Sequence, residues 1–120
     1  MHLPKVVNLN ALPDNLESLT WEAYSSHGRE GARIHDLHRD ADTGQRAALV
    51  HLQPGAQAQA HRHEDYESIY VLEGGFQDET GRYAKGDLVV YPAGSHHAWR
   101  SAEGGVMYIV WGGPVSAYSG

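Results

Sequence analysis

Turn signals cut this chain into short pieces, and that punctuation constrains its fold more than any other feature. Ala32–His38 runs into Asp40-Ala41-Asp42-Thr43-Gly44, Arg46–Leu52 ends at Pro54-Gly55, and Tyr66–Leu72 ends at Gly74-Gly75. Phe76–Asp78 precedes Glu79-Thr80-Gly81, and Leu88–Tyr91 precedes Pro92-Ala93-Gly94. His97–Arg100 stops near Glu103-Gly104-Gly105, and Val106–Trp111 ends at Gly112-Gly113-Pro114. The pieces between these breaks are alternating or apolar, and none shows a helical period over three turns. About seven short strands, with turns roughly every eight to twelve residues, predict an all-β sandwich or barrel. Residues 1–20 are weakly periodic and read as an N-terminal arm or edge strand; residues 21–115 read as the barrel. A chain of 120 residues leaves room for one such domain.

Charge and composition remove several functions. Nine Lys+Arg against fifteen Asp+Glu give a formal net charge of −6, which disfavours nucleic acid and anionic membranes as partners. With no cysteine there is no disulfide, no thiolate zinc site, no iron–sulfur cluster and no cysteine nucleophile. No apolar run approaches the roughly 18 residues of a membrane span, and Met1–Lys5 has no apolar signal-peptide core, so the expected location is cytoplasmic.

Nine histidines are the chemical signal. His61, His63 and Glu67 share odd parity, so one strand face presents two imidazoles and a carboxylate before continuing into Ile69 and Val71. Two His and one carboxylate on one face can hold a metal with open positions opposite. A straight strand would carry Glu67 about 13 Å from His63, so a bulge or short turn is expected at Glu64-Asp65-Tyr66. Downstream, the Pro92-Ala93-Gly94 turn opens a strand on which His97 can bring a third imidazole. His96 has the opposite parity and is expected to point outward, while Trp99 shares the parity of His97 and is a pocket candidate. His35 and His51 read as surface or supporting residues, Asp78-Glu79 as a hairpin turn, and no general base stands out.

These stretches resemble the two motifs of the cupin superfamily, G-x5-H-x-H-x3-E-x6-G and G-x5-P-x-G-x2-H-x3-N. The first matches at Gly55, His61, His63, Glu67 and Gly74; the second at Gly86, Pro92, Gly94 and His97, with Ser101 in place of the final Asn. The run Val71–Asp87 further resembles the ChrR-like cupins, found as a domain of some anti-sigma factors and as small stand-alone dioxygenases. The anti-sigma role needs a cysteine-bearing zinc domain, and this chain has no cysteine.

The resemblance implies a cupin-type antiparallel β-barrel (double-stranded β-helix or jelly roll) binding one divalent metal ion through His61, His63, Glu67 and His97. Fe(II) is favoured, with Mn, Ni, Zn, Co or Cu compatible with the same ligands. The expected activity is that of a non-haem iron dioxygenase acting on a small-molecule substrate: a diketone, a hydroxyketone or an aromatic compound. The alternatives are a non-catalytic metal- or ligand-sensing cupin and a Lewis-acid isomerase or lyase. A homodimer is expected, through the face of Tyr70 and Leu72 and an arm (Val6, Val7, Leu9) able to add to a neighbour's sheet.

Overall fold

Two long bent strands organise the architecture seen in the computed structural model, which describes residues 2–118. Met1, where the expected arm begins, lies outside the described residues. The strands are β1 (Glu22–Ala23), β2 (Glu30–Arg39), β3 (Arg46–His63), β4 (Glu67–Asp78), β5 (Gly81–Ala84), β6 (Leu88–Tyr91), β7 (His96–Ser101), β8 (Gly105–Trp111) and β9 (Val115–Ala117). Three single 3-10 turns, Leu9–Ala11, Leu16–Ser18 and Ser26–Gly28, complete the elements. Among the described residues no helix is long and apolar enough to cross a membrane.

The first half of β3 lies between β2 and β8, and its second half pairs with β7 and β9. β4 behaves in the same way: Glu67–Gly74 pairs with β8 and its first residues with β6, whereas Gly75–Asp78 pairs with β5. All pairings are antiparallel, and these two strands roll the sheet into a barrel. Here the structure corrects the expected strand ends. Pro54-Gly55 and Gly74-Gly75 are bends inside continuous strands. Gly55 (φ 89°) and Gly74 (φ 70°) adopt backbone angles that side chains disfavour, and a Cβ on Gly74 would collide with the Gly104 carbonyl.

Each long strand also carries a one-residue register shift that decides which side chains face inward. In β3, Ala48, Val50, Leu52, Ala56 and Ala58 are buried; after the shift between Ala58 and His61, the buried positions become His61 and His63. In β4, Glu67, Ile69 and Val71 face inward; after the shift between Val71 and Glu73, Phe76 does. A bulge reverses the facing of every later residue.

The inner core gathers Ile34, Val50, Leu52, Ile69, Val71 and Phe76 with Met107, Ile109 and Trp111. A second cluster covers the outside of the sheet, where Leu12 is buried with Leu49 and Val106 and is flanked by Val7, Leu9, Leu16, Leu19 and Trp21. Val7 and Leu9, expected to add to a neighbour's sheet, are partly buried on their own barrel against the cluster of Leu12, Leu49 and Val106. Burying them here removes apolar surface from water at about 25 cal/mol per Å². Val6 remains exposed.

Candidate metal centre

His61 and His63 end β3, Glu67 opens β4, and His97 lies on β7 directly opposite His61 in the pairing register. The expected bend falls at Glu64–Tyr66, where the chain leaves one strand and enters the next. Backbone bonds from Glu64 N–H to Pro114 O (3.1 Å) and from Gly112 N–H to Tyr66 O (3.0 Å) hold that connection. Glu67 thus approaches His63 from the next strand in sequence, β4, rather than along β3.

All four side chains are buried. One nitrogen from each of His61, His63 and His97 falls in a cluster whose members lie within 4.8 Å of one another. His61 Nε2 and His97 Nε2 are 3.0 Å apart. Glu67 Oε1 sits 3.2 Å from His63 Nε2 and 3.9 Å from His97 Nε2.

The far side of each ring fixes its tautomer. His61 Nδ1 faces the Gln59 carbonyl at 2.9 Å, and His97 Nδ1 faces Asp78 Oδ2 at 2.8 Å. His63 Nδ1 faces Ser95 Oγ at 2.9 Å, and that hydroxyl donates its own proton to Pro92 O. Every partner accepts, so each Nδ1 carries the proton and each Nε2 turns a lone pair inward. Two facing lone pairs 3.0 Å apart repel unless a cation lies near them. His63 Nε2 and Glu67 Oε1 are moreover buried without a hydrogen-bond partner. Buried polar atoms are rarely left so, and this donor set suits a divalent metal.

The electrostatics agree with a neutral His61 ring and an ionised Glu67. Burial depresses the pKa of His61 to about 3. Burial works against ionised Glu67, yet the facing His63, with His97 and His61, holds its pKa below the ordinary value. Burial likewise opposes charge on Asp78, but donors from Thr80, Tyr91 and His97 outweigh it and bring its pKa down to about 2. Tyr91 is pushed upward by burial and by the Asp78 carboxylate that accepts its hydroxyl proton.

Asp78 was expected only at a hairpin turn. It does stand at that turn, but its side chain is fully enclosed and clamps both His97 and Tyr91. The register shift in β4 turns it inward, which alternation counted from Ile69 does not reveal. His96 points outward and stacks on Tyr118 at 3.8 Å. His35 and His51 lie away from the cluster, against Trp21. Ser101, at the position where the motif departs, donates to Gly75 O and accepts from Gly104 N–H, closing a buried turn.

A narrow cavity of about 30 Å³ opens inside the barrel beside this cluster and is lined by Glu67, Ile69, Phe76, Trp99, Met107 and, unforeseen from sequence, Arg29. Trp99 therefore lines the pocket as its parity predicted.

The ChrR Cupin-like domain family matches residues 14–116. Among solved structures, an acetylacetone dioxygenase from Acinetobacter johnsonii is similar at 14% identity and a TM-score of 0.78, over 99% of this chain and 80% of that one. The Rhodobacter sphaeroides complex of SigE with the anti-sigma ChrR matches at 23% identity and 0.67, over 84% of this chain and 55% of that one. An RmlC-like cupin from Shewanella frigidimarina matches at 20% identity and 0.64, over 82% and 86%. No curated protein matches the chain. At these identities the structural likenesses establish the fold, while the family match spans most of the sequence: the chain belongs to the ChrR cupin-like domain family.

Proposed function

We propose that this chain is a metal-dependent small cupin enzyme of the non-haem dioxygenase type, with His61, His63, Glu67 and His97 holding one divalent ion. The observation that carries this reading is the convergence of three Nε2 lone pairs, each fixed by an acceptor on its Nδ1, upon a buried Glu67 carboxylate. When bound, a divalent ion would supply Lewis acidity and adjacent open positions for a chelating ketone and dioxygen. Fe(II) is the favoured ion, and the substrate class is a small diketone, hydroxyketone or aromatic compound. The likeness to a structure described as an acetylacetone dioxygenase supports that class.

The chain's own residues then have separable tasks. Asp78 orients His97 and holds its proton on Nδ1. Ser95 does the same for His63. Phe76, Ile69, Met107 and Trp99 give the substrate apolar walls and exclude water. The test is elemental analysis of protein purified without added metal, followed by oxygen uptake on a panel of diketones and hydroxyketones. About one metal per chain and consumption of oxygen with one of these ketones are expected. Metal without uptake on any member favours the sensing or Lewis-acid alternatives.

A further inference from the structure

Arg29 is a buried cation that the metal cluster does not use. It follows the Ser26–Gly28 turn, in which His27 (φ 55°, ψ 38°) and Gly28 (φ 67°) both take left-handed backbone angles. A non-glycine residue held there is a local strain of the kind that gathers at functional sites. The turn sends Arg29 into the barrel, where it is only 5% exposed. Its guanidinium lies 4.2 Å over the Tyr24 ring, and Nη1 donates to Ser26 O at 2.8 Å and Ser26 Oγ at 3.1 Å.

Arg33 and Arg46 each pair with a carboxylate, Glu17 and Asp36 respectively. Among the described residues Arg29 pairs with none, and its hydrogen bonds all leave from Nη1. Nε and Nη2 remain as a fork of donors, the arrangement that matches a carboxylate. A buried charge without a partner is costly, so a group that meets it is favoured. Arg29 and Glu67 line the same cavity, and Glu67 is its one lining carboxylate. Once Glu67 is committed to a divalent ion, the cavity is left with an excess of positive charge. Tyr24 and Trp111 also wall an outer groove of about 440 Å³ that carries His27, Arg39 and Arg46 beside a single carboxylate, Asp40.

We propose that Arg29 anchors the substrate, and that the substrate is a short keto acid whose carboxylate meets the guanidinium. This deepens the metal-dependent reading above and rests on it. Arg29 is thereby the residue that selects the anionic member of the ketone class.

The experiment compares pyruvate with pyruvamide, which differ in charge at nearly constant shape. Binding is followed by calorimetry and by the fluorescence of Trp99 and Trp111, in zinc-loaded and in metal-free protein, so that no turnover is needed. The wild type is expected to prefer pyruvate by about tenfold to a hundredfold, the range of a charge-assisted hydrogen bond. Arg29→Gln should erase most of that preference, and Arg29→Lys should keep part of it, while zinc per chain stays at the wild-type value in both. Equal affinities in the wild type, or a preference that survives intact in Arg29→Gln, would overturn the proposal, the latter because zinc alone then selects the anion. If Arg29→Gln does not fold, an undiminished preference in Arg29→Lys overturns it as well. Failure of the wild type to hold zinc would instead defeat the metal reading, and the metal-free titration would still decide the role of Arg29.

Discussion

Replacing Asp78 with Asn tests the support of the cluster without touching a ligand. Asp78 receives two pairs of donors: Thr80 N–H (2.8 Å) and Thr80 Oγ1 (2.6 Å) on Oδ1, and the Tyr91 hydroxyl (2.5 Å) and His97 Nδ1 (2.8 Å) on Oδ2. An amide has one accepting end, so its NH₂ must face one of these pairs. Facing His97, it would force the ring to move its proton to Nε2 and withdraw the lone pair aimed at the cluster. Facing Thr80, it would break the turn that positions the carboxamide. Either arrangement loses a charge-assisted bond to a ligand ring, and metal affinity should fall about 10–100-fold. Competition against a chromophoric chelator measures this, with circular dichroism confirming an intact barrel. A correctly folded Asp78→Asn variant that bound metal as tightly as the wild type would refute the tautomer argument.

The same carboxylate makes a pH prediction for the metal-free protein. Its pKa falls on folding from 3.8 to about 2, so its stabilisation is fully present above the ordinary value and is lost as pH falls toward 2. The contribution is about 2 kcal/mol. Denaturation curves between neutral pH and pH 2 should show that loss, and Asp78→Asn should flatten it.

Leu49→Ala, at a fully buried position under the arm, should cost about 2–5 kcal/mol in urea denaturation while leaving metal content unchanged, because Leu49 packs on the opposite side of the sheet from the cluster. Ser101→Ala leaves Gly75 O and Gly104 N–H without their side-chain partner and should destabilise by about 1–3 kcal/mol, read from thermal melts. The expected dimer face of Tyr70 and Leu72 loses Leu72 to the arm cluster, and we propose a homodimer through Tyr70 with the exposed Leu88 and Val90; light scattering should give twice the 13.2 kDa chain mass, and Leu88→Glu should halve it.

What could be read from the residues beforehand follows the range over which strand alternation holds. Glu67, Ile69 and Val71 face inward as their shared parity requires, and the bend at Glu64–Tyr66 follows from the length of a straight strand. His61 and His63 share a face because they are two apart, but the bulge at 59–60 makes that face the inner one, and no residue type announces a bulge. The same kind of shift hid Asp78. Pro54-Gly55 and Gly74-Gly75 looked like strand ends because turn residues also serve sharp bends within a rolled sheet. Arg29 was illegible for another reason: its burial depends on the Ser26–Gly28 turn lying across the barrel, a tertiary fact with no local periodicity. The arm's leucines, scattered without a period, likewise gain a role only from the outer sheet surface they cover.

The central claim is that His61, His63, Glu67 and His97 hold one ion. Elemental analysis of wild type, His61→Ala and His97→Ala, each purified without added metal and checked for folding, tests it most directly. The account predicts about one divalent ion per wild-type chain, almost none in either variant, and binding that weakens as pH falls because the imidazoles must be neutral to donate. A full equivalent of tightly bound metal in folded His61→Ala would contradict it.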